Sequence, residues 1–446
     1  MNQSVVVISA VSPFPVDTGR RVFLAGLVQY LVDRFGGDAV HYGLAAPAVI
    51  PTPHLPCRVH RLPVPSTREK MSNAVVHSML QRRWSMQESM LSTPRLRSAV
   101  AALMHTYSPA LEIYDTVRMA QHRAPARPDS TSMVHLDDLY SGRYERMVDS
   151  PAAAEPDFNP LGEFATNIPA PLRRAAGNPR VYRRLLRWEA QRMRQRECEV
   201  ARDFPCATLV NAQEVSALRQ QTGLSTIRVI TPLLATPRPV PRSPVDPPEF
   251  VFLGRLNLPH NNDAICSFIE GAWPLLLQRS PKCQLRVVGK SASPTLRRLA
   301  AAHSGSIRLE GFVDDLDSLL ARAVAVIAPL RFGSGIKQKI LDAVARGVPV
   351  VGTEVAFEGI PARRSPLATA PAGAAYSDGC IIAEDPGSWP GPLLQLTDVD
   401  VNAAYSAAAR DFFQRTYSAE VVYSQYDEIF NPGGESGRAL KTTHVA

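Results

Sequence analysis

Ala328-Pro-Leu-Arg-Phe-Gly-Ser-Gly-Ile-Lys-Gln-Lys-Ile-Leu-Asp342, continuing as Ala-Val-Ala-Arg-Gly347-Val-Pro-Val-Val-Gly-Thr353, contains a full strand–helix–strand repeat. The apolar run up to Pro329 reads as a strand and the glycines that follow as a loop. Ile336–Arg346 reads as a helix and Val348–Gly352 as the next strand. A helix starting there points its unpaired first-turn amides outward, with the positive end of its dipole behind them, so that it can hold a phosphate. Lys337 and Lys339 oppose that dipole and cost stability unless an anion faces them. Asp342 falls on about the same face as Gln338 and Lys339, where a carboxylate can accept two hydroxyls of a ribose. The loop alone is equally compatible with an ordinary βα turn carrying surface lysines.

The same alternation runs outward in both directions. Phe250–Leu253, Gln284–Val288, Ile307–Leu309, Ala325–Ala328 and Cys380–Ala383 are strand-like, with helical periods near Asn262–Leu277, Pro294–Ala302 and Leu316–Arg322. Towards the N-terminus, Val5–Ser9, Ala39–Tyr42, Leu111–Tyr114, Met133–Leu136, Ala207–Val210 and Arg228–Ile230 repeat the pattern, with a helix over Arg20–Phe35. Strands alternating with helices mean parallel sheets, so the fold class is α/β with two doubly wound domains. Residues 1–235 form the first domain, with 150–178 as an irregular Pro- and Ala-rich insertion. A proline-dense linker spans 236–249 and the second domain 250–402. Helical segments over 403–430 are placed to cross back to the first domain, and a polar tail, 431–446, is expected to be disordered. Ligands of open α/β sheets bind at the carboxyl ends of the strands, which makes the inter-domain cleft the expected site.

Composition narrows the classes. At 446 residues the chain is long enough for two domains, with 45% hydrophobic and 20% charged residues. No run of 18 apolar residues is present and Met1–Ala10 lacks the basic start of an export signal, so a cytoplasmic protein is expected. The six cysteines form no C-x-x-C pair and the histidines no ligand spacing, so no metal site is expected. A net charge of +8 suits anionic partners, while the absence of any nucleic-acid-binding signature argues against DNA or RNA.

The motifs in order make the reading specific. Phe252-Leu-Gly-Arg255-Leu, His260-Asn261-Asn262-Asp-Ala, Leu285-Arg-Val-Val-Gly289, Leu309-Glu-Gly311-Phe-Val-Asp314-Asp315-Leu and the opening stretch together resemble the donor-binding domain of family-4 glycosyltransferases. The first half is similar in outline only, through Pro13-Phe-Pro-Val-Asp-Thr-Gly19-Arg20-Arg21 after the first strand. The resemblance implies the GT-B fold, a retaining and metal-independent transfer from a nucleotide-sugar, and no bound cofactor. It also implies that Arg255 holds the donor diphosphate together with Gly333, Ser334, Gly335, Ile336 and Lys337, and that Asp342 holds the ribose. In the family a lysine often stands where this chain has Asn261, and Lys337 is expected to replace it. Ser334 stands where a glutamate normally contacts the donor sugar, so Glu354 or Glu358 is expected to face the sugar instead.

Three features lie outside that block. Gly19 suits a loop approaching the donor phosphates, since a residue without Cβ permits close backbone contact; as a turn glycine it is equally ordinary. Asp137 and Asp138, in His135-Leu-Asp137-Asp138-Leu-Tyr-Ser141-Gly-Arg143-Tyr144, follow a strand, and Asp137 matches the family's common histidine beside the acceptor. Either aspartate can instead cap the next helix. Arg180–Arg202 carries eight arginines on a helical pattern, which suits either a solvated helix or peripheral contact with an anionic inner membrane face. The expected catalytic residues are thus Asp137, Asp138, Arg255 and Lys337. The expected partners are a UDP- or GDP-sugar and a glycan, lipid-linked or small-molecule acceptor. A non-catalytic nucleotide-sugar-binding partner of another transferase, or a sugar-nucleotide epimerase, stays open as an alternative.

Overall fold

The computed structural model describes residues 4–16, 18–47, 55–149, 179–234, 241–333, 335–365 and 377–430. The expected insertion 150–178, part of the linker and the tail 431–446 lie outside them. Two seven-stranded sheets organise the chain. The first contains β1 (Val5–Ser9), β2 (Val40–Leu44), β3 (Arg58–Arg61), β4 (Leu111–Asp115), β5 (Thr131–Asp137), β6 (Cys206–Leu209) and β7 (Ile227–Val229). The second contains β8 (Glu249–Leu253), β9 (Gln284–Val288), β10 (Ile307–Gly311), β11 (Ala325–Ala328), β12 (Val350–Gly352), β13 (Arg364–Ser365) and β14 (Cys380–Ile382).

The spatial orders are β3-β2-β1-β4-β5-β6-β7 and β10-β9-β8-β11-β12-β14-β13. Every pairing is parallel, for example Val7 beside Tyr42 and Ile113, and Phe252 beside Val287. β1, β2, β4, β8 and β11 are buried at every position. Helices cover both faces of a parallel sheet, so such strands are buried without alternation: β1 and β11 are largely apolar, while β2 and β4 bury His41, Glu112 and Asp115 as well. Each sheet reverses its strand order beside its first strand, between β1 and β4 and between β8 and β11. A crevice therefore opens at the carboxyl ends there.

Two departures from the sequence reading have physical causes. β3 (Arg58-Val-His-Arg61) is an edge strand with two exposed and two half-buried residues, so it carries no apolar run. The helix of the opening stretch spans Gln338–Ala345, not from Ile336, with Lys337 at the capping position. Gly333 and Gly335 take positive φ, and the loop stays open through Lys337.

Helix Val399–Tyr417 packs in the core of the second sheet through Tyr405, Ala409, Phe412 and Phe413. The next helix, Ala419–Phe430, instead places Val422, Tyr426, Ile429 and Phe430 in the core of the first. Tyr30 donates to Asp427 at 2.8 Å and Tyr426 to the Thr231 carbonyl at 2.8 Å. The chain therefore returns to its first half at its end.

The basic helix, Pro179–Asp203, buries Leu186, Ala190, Met193 and Val200 in the core of the first half. Its Glu189 accepts from the Met86 amide and its Glu197 from Ser141. Its apolar face is used inside the protein.

Candidate active site

The two halves meet at Gly335 and Ile336. Ile336 packs against the cores of both halves, and its carbonyl is the nearest atom to a Cβ placed on Gly19, at 4.0 Å. The protein's own packing thus does not demand glycine at 19. Gly335 requires its identity through a φ of +69°, and it faces the Asp138 carboxylate across the cleft. Gly359 lies against Asn211 of the first half and against Ile336. Arg146, from helix Tyr140–Asp149, completes the junction by pairing with Glu358 at 3.0 Å.

On the first-half wall, β5 ends in His135, Asp137 and Asp138. Asp137 has a left-handed backbone, φ +69°, and 15% of its side chain is exposed. Burial first, and the Asp138 charge second, push its carboxyl well above the ordinary carboxylate range. Asp138 is held by Arg143, yet one of its buried carboxylate oxygens has no partner. His135 stacks on Phe23 at 3.8 Å and bonds Thr208 through Nδ1, leaving Nε2 unpaired. Burial lowers its pKa to about 3, so the ring is neutral. Beneath, Arg20 pairs with Asp115 at 2.6 Å and donates to Tyr140 at 3.3 Å. Arg20 and Asp115 hold the ends of β1 and β4 at the reversal of strand order.

The facing wall is cationic. Lys339 donates to the Asn261 Oδ1 at 2.7 Å and lies over the Phe252 ring, 4.4 Å from its centre. Desolvation, and then the Lys337 charge, lower its pKa to about 7, and it forms no ion pair among the described residues. Lys337 donates to the Gly335 carbonyl at 2.7 Å. Burial lowers its pKa to about 8, opposed by the charges of Glu358, Asp138 and Glu214. His260 is held neutral, near pKa 3, by burial and by the fields of Lys339, Lys337 and Arg143. Lys339, buried beside a second cation and without a carboxylate, is costly by itself and suited to an anionic ligand.

Of the residues expected from the sequence, Asp138, Gly335, Ile336 and Lys337 come together at this cleft, with two departures from the sequence reading. Lys339, not Lys337, occupies the side of Asn261; Lys337 turns to the Gly335 carbonyl, among the charges of Glu358, Asp138 and Glu214. Of the two glutamates considered for the sugar, Glu358 lies in the cleft with Arg146. Glu354 is 60% exposed, paired with Arg364, and its amide is bound by Glu384. Arg255 stands in the loop after β8, where its carbonyl accepts from Asn261 at 3.1 Å. Asp342 bonds Gln338 at 3.3 Å, and burial raises its pKa. Ser334 lies outside the described residues.

Sequence reasoning passed over Lys339, His260, Arg143 and Arg146 as site residues. The lysine pair at a helix start was the available signal for the first. Arg146 and Glu358 are 212 positions apart, and no sequence signal joins them. Among the described residues no cluster could hold a metal ion. A depression of about 620 Å³ beside Arg97, His122 and Arg123 shares no residue with the cleft.

Known proteins now place this geometry. Residues 247–384 match the family described as glycosyl transferases group 1. That match runs over the second sheet, from β8 to β14. A phosphatidyl-myo-inositol mannosyltransferase of Mycolicibacterium smegmatis is 26% identical over 199 residues, which is 44% of this chain. The match spans about half of that relative, 48% of its length. The sucrose-phosphate synthase of Thermosynechococcus elongatus is similar in structure over 96% of this chain and 98% of its own, with a TM-score of 0.65 and 15% identity. Anabaena HepE, solved with UDP, covers the same shares with a TM-score of 0.60 and 15% identity. At such identities the likeness is one of fold, and the fold is GT-B. The group 1 match lies over the strands and loops that carry Arg255, Lys337, Lys339 and Asp342.

Proposed function

We propose that the protein transfers a sugar from a nucleoside-diphosphate sugar to an acceptor hydroxyl, in the cytoplasm and without a metal ion. The observation that carries this reading is the opposition of the two walls. Lys337 and Gly335, in the loop leading into helix Gln338–Ala345, face Asp138 across a cleft that both halves line, with Lys339 on that helix and Arg255 in the loop after β8. As the glycosidic bond breaks, negative charge grows on the departing diphosphate. Fixed cations and amides in a desolvated cleft stabilise that charge without reorganising. Asp342 receives the ribose hydroxyls, and Glu358 stands nearest the sugar position. The acceptor hydroxyl approaches from the side of Asp137. In a retaining reaction it attacks the face that the diphosphate leaves, and the diphosphate takes its proton.

Two comparisons support the donor class. HepE was solved in complex with UDP-glucose, and the mycobacterial relative is a mannosyltransferase. UDP- and GDP-sugars are accordingly the first donors to test. The experiment is a thermal-shift series with UDP, GDP, dTDP and ADP, followed by nucleotide release from the matching sugar, with and without EDTA. A ligand that binds only the folded state raises the melting temperature once it exceeds its Kd. A shift from one nucleotide, lost in Arg255→Ala and Asp342→Ala, with EDTA-resistant release supports the reading. Binding without turnover over varied acceptors would replace it with a nucleotide-sugar-binding role. Conversion of the donor into its epimer without net nucleotide release would make the protein an epimerase.

A further inference from the structure

The segment after β3 has an unusual surface. A helix, Thr67–Asn73, runs directly into a π-helical turn, Ala74–Leu80. Ala74 and Ser78 are buried, and Ser78 bonds the Trp84 carbonyl at 2.9 Å and the Ser89 hydroxyl at 3.3 Å, which seats the segment on the protein. The opposite face points to solvent and is apolar. Met71, Val75, Met79 and Leu80 are 36%, 45%, 42% and 73% exposed, four of the eight large hydrophobic side chains exposed among the described residues.

The π turn shapes that face. Met71, Val75 and Met79 follow one another at four-residue spacing, a single stripe on an α-helix. Leu80 would leave that stripe on a regular helix. Bonds between residues five apart, such as the Gln81 amide to the Val76 carbonyl at 2.9 Å, bring Leu80 back beside Val75. The stripe therefore widens at its C-terminal end, where its largest exposure lies.

Charge frames the stripe. Arg68, Arg82 and Arg83 are exposed, the last over the Trp84 ring at 4.6 Å. Lys70 adds a further cation, while Glu69, the one acid between residues 66 and 84, is engaged by Arg95 and by the Ser66 amide. The segment leaves the sheet at the carboxyl end of β3, the end at which β5 carries Asp137.

We propose that this helix-and-π-turn face is a peripheral membrane-docking surface that inserts Met71, Val75, Met79 and Leu80 into the headgroup boundary of an anionic bilayer. An apolar stripe flanked by arginines is the arrangement that binds such a boundary, through area on one face and Coulomb attraction on the other. The basic helix Pro179–Asp203 offers arginines without an outward apolar face. The docking does not depend on the glycosyltransferase reading.

Cosedimentation of the full chain with phosphatidylcholine vesicles, with and without phosphatidylglycerol, tests it. Wild type is expected to bind the anionic vesicles at low salt and to be released as salt rises. Met79→Ser/Leu80→Ser is expected to lower the partition coefficient about tenfold, with an unchanged melting temperature because both side chains are exposed. Arg68→Glu/Arg82→Glu is expected to remove the preference for phosphatidylglycerol, and Arg184→Glu/Arg187→Glu in helix Pro179–Asp203 to bind as wild type. Wild type remaining in the supernatant, or binding lost only in the helix Pro179–Asp203 variant, overturns the proposal. So does a vesicle-free dimer that dissociates in Met79→Ser/Leu80→Ser, which would assign the face to a second copy of the chain.

Discussion

Lys339 is the residue whose behaviour most directly tests the cleft. Burial beside Lys337, without a carboxylate, leaves its pKa near 7, far below the usual lysine value of 10.5. A diphosphate bound against the ammonium favours the charged form, so the proton lost in the free protein returns on binding. Nucleotide affinity should therefore fall as pH rises above about 7, with proton uptake visible in calorimetry across buffers of different ionisation enthalpy. Lys339→Met should lose about 1.5–3 kcal/mol of nucleotide binding, the range for a hydrogen bond to a charged group, and should abolish that pH dependence. The sign for stability is opposite. Between pH 7 and 10.5 the unfolded chain holds a proton that the folded one has released, so stability gained from this group rises with pH across that window. At or below pH 7 the folded state must instead hold a disfavoured charge, and ligand-free Lys339→Met should melt higher than wild type. Asp137 and Asp138 set the other limb. Burial and then the Asp138 charge raise the Asp137 carboxyl above the ordinary carboxylate range, so Asp137 takes up a proton early on acidification and kcat/KM should fall. Asp137→Asn should flatten that limb, and Lys339→Arg, which stays charged, should move the basic limb upward. A pH profile unchanged in both variants would remove these groups from the reaction.

At the scale of elements, the loop 331–337 couples the two walls through backbone shape. Gly335 has φ +69°, where its carbonyl receives Lys337 and its Cα faces Asp138. A side chain in that conformation costs about 1–2 kcal/mol, so Gly335→Ala should lower the melting temperature by several degrees or shift the loop. Nucleotide-induced stabilisation should shrink more than the stability change alone explains; an intact shift would separate the loop from the ligand. The same elements show what can be read from sequence. β1, β8 and β11 were legible because strands buried on both faces are largely apolar runs. β3 was not, since an edge strand with Arg58 and Arg61 outward obeys neither pattern. The helix Thr67–Asn73 and its π turn escaped for a related reason: its apolar residues face outward, and periodicity alone does not say which face a stripe takes. The basic stretch at Arg180–Arg202 drew attention to a membrane role, but its apolar residues belong to the core. Lys339 was visible as a charge against a helix dipole. Its partner Asn261, 78 positions earlier, was fixed only by the three-dimensional fold.

At the scale of the molecule, two contacts decide how the halves sit. One is the returning helix Ala419–Phe430, whose Tyr426 is fully buried among Tyr30 and Phe430. Tyr426→Ala removes that ring and its bond to Thr231, and about 3–5 kcal/mol of stability should go with it, read by urea unfolding. The other is Arg146, which pairs with Glu358 at 3.0 Å across the cleft and lies 3.9 Å from Glu214 on its own side. Burial, and then the Asp138 charge, raise the Glu214 pKa, so Arg146 is the cation that lets these acids stand close together. Without it the ion pair that joins the halves at this point is lost, and Glu358 is left with the Lys337 charge near it. Arg146→Ala should therefore increase the ligand-free radius of gyration in small-angle scattering, while leaving each half folded. Glu358→Ala removes the same link together with the carboxylate that Arg146→Ala leaves without its partner, so its expansion should be smaller. In the double variant nothing crosses the cleft at this point, and it should match Glu358→Ala. If Arg146→Ala scatters like wild type, the pair follows the closed arrangement without holding it.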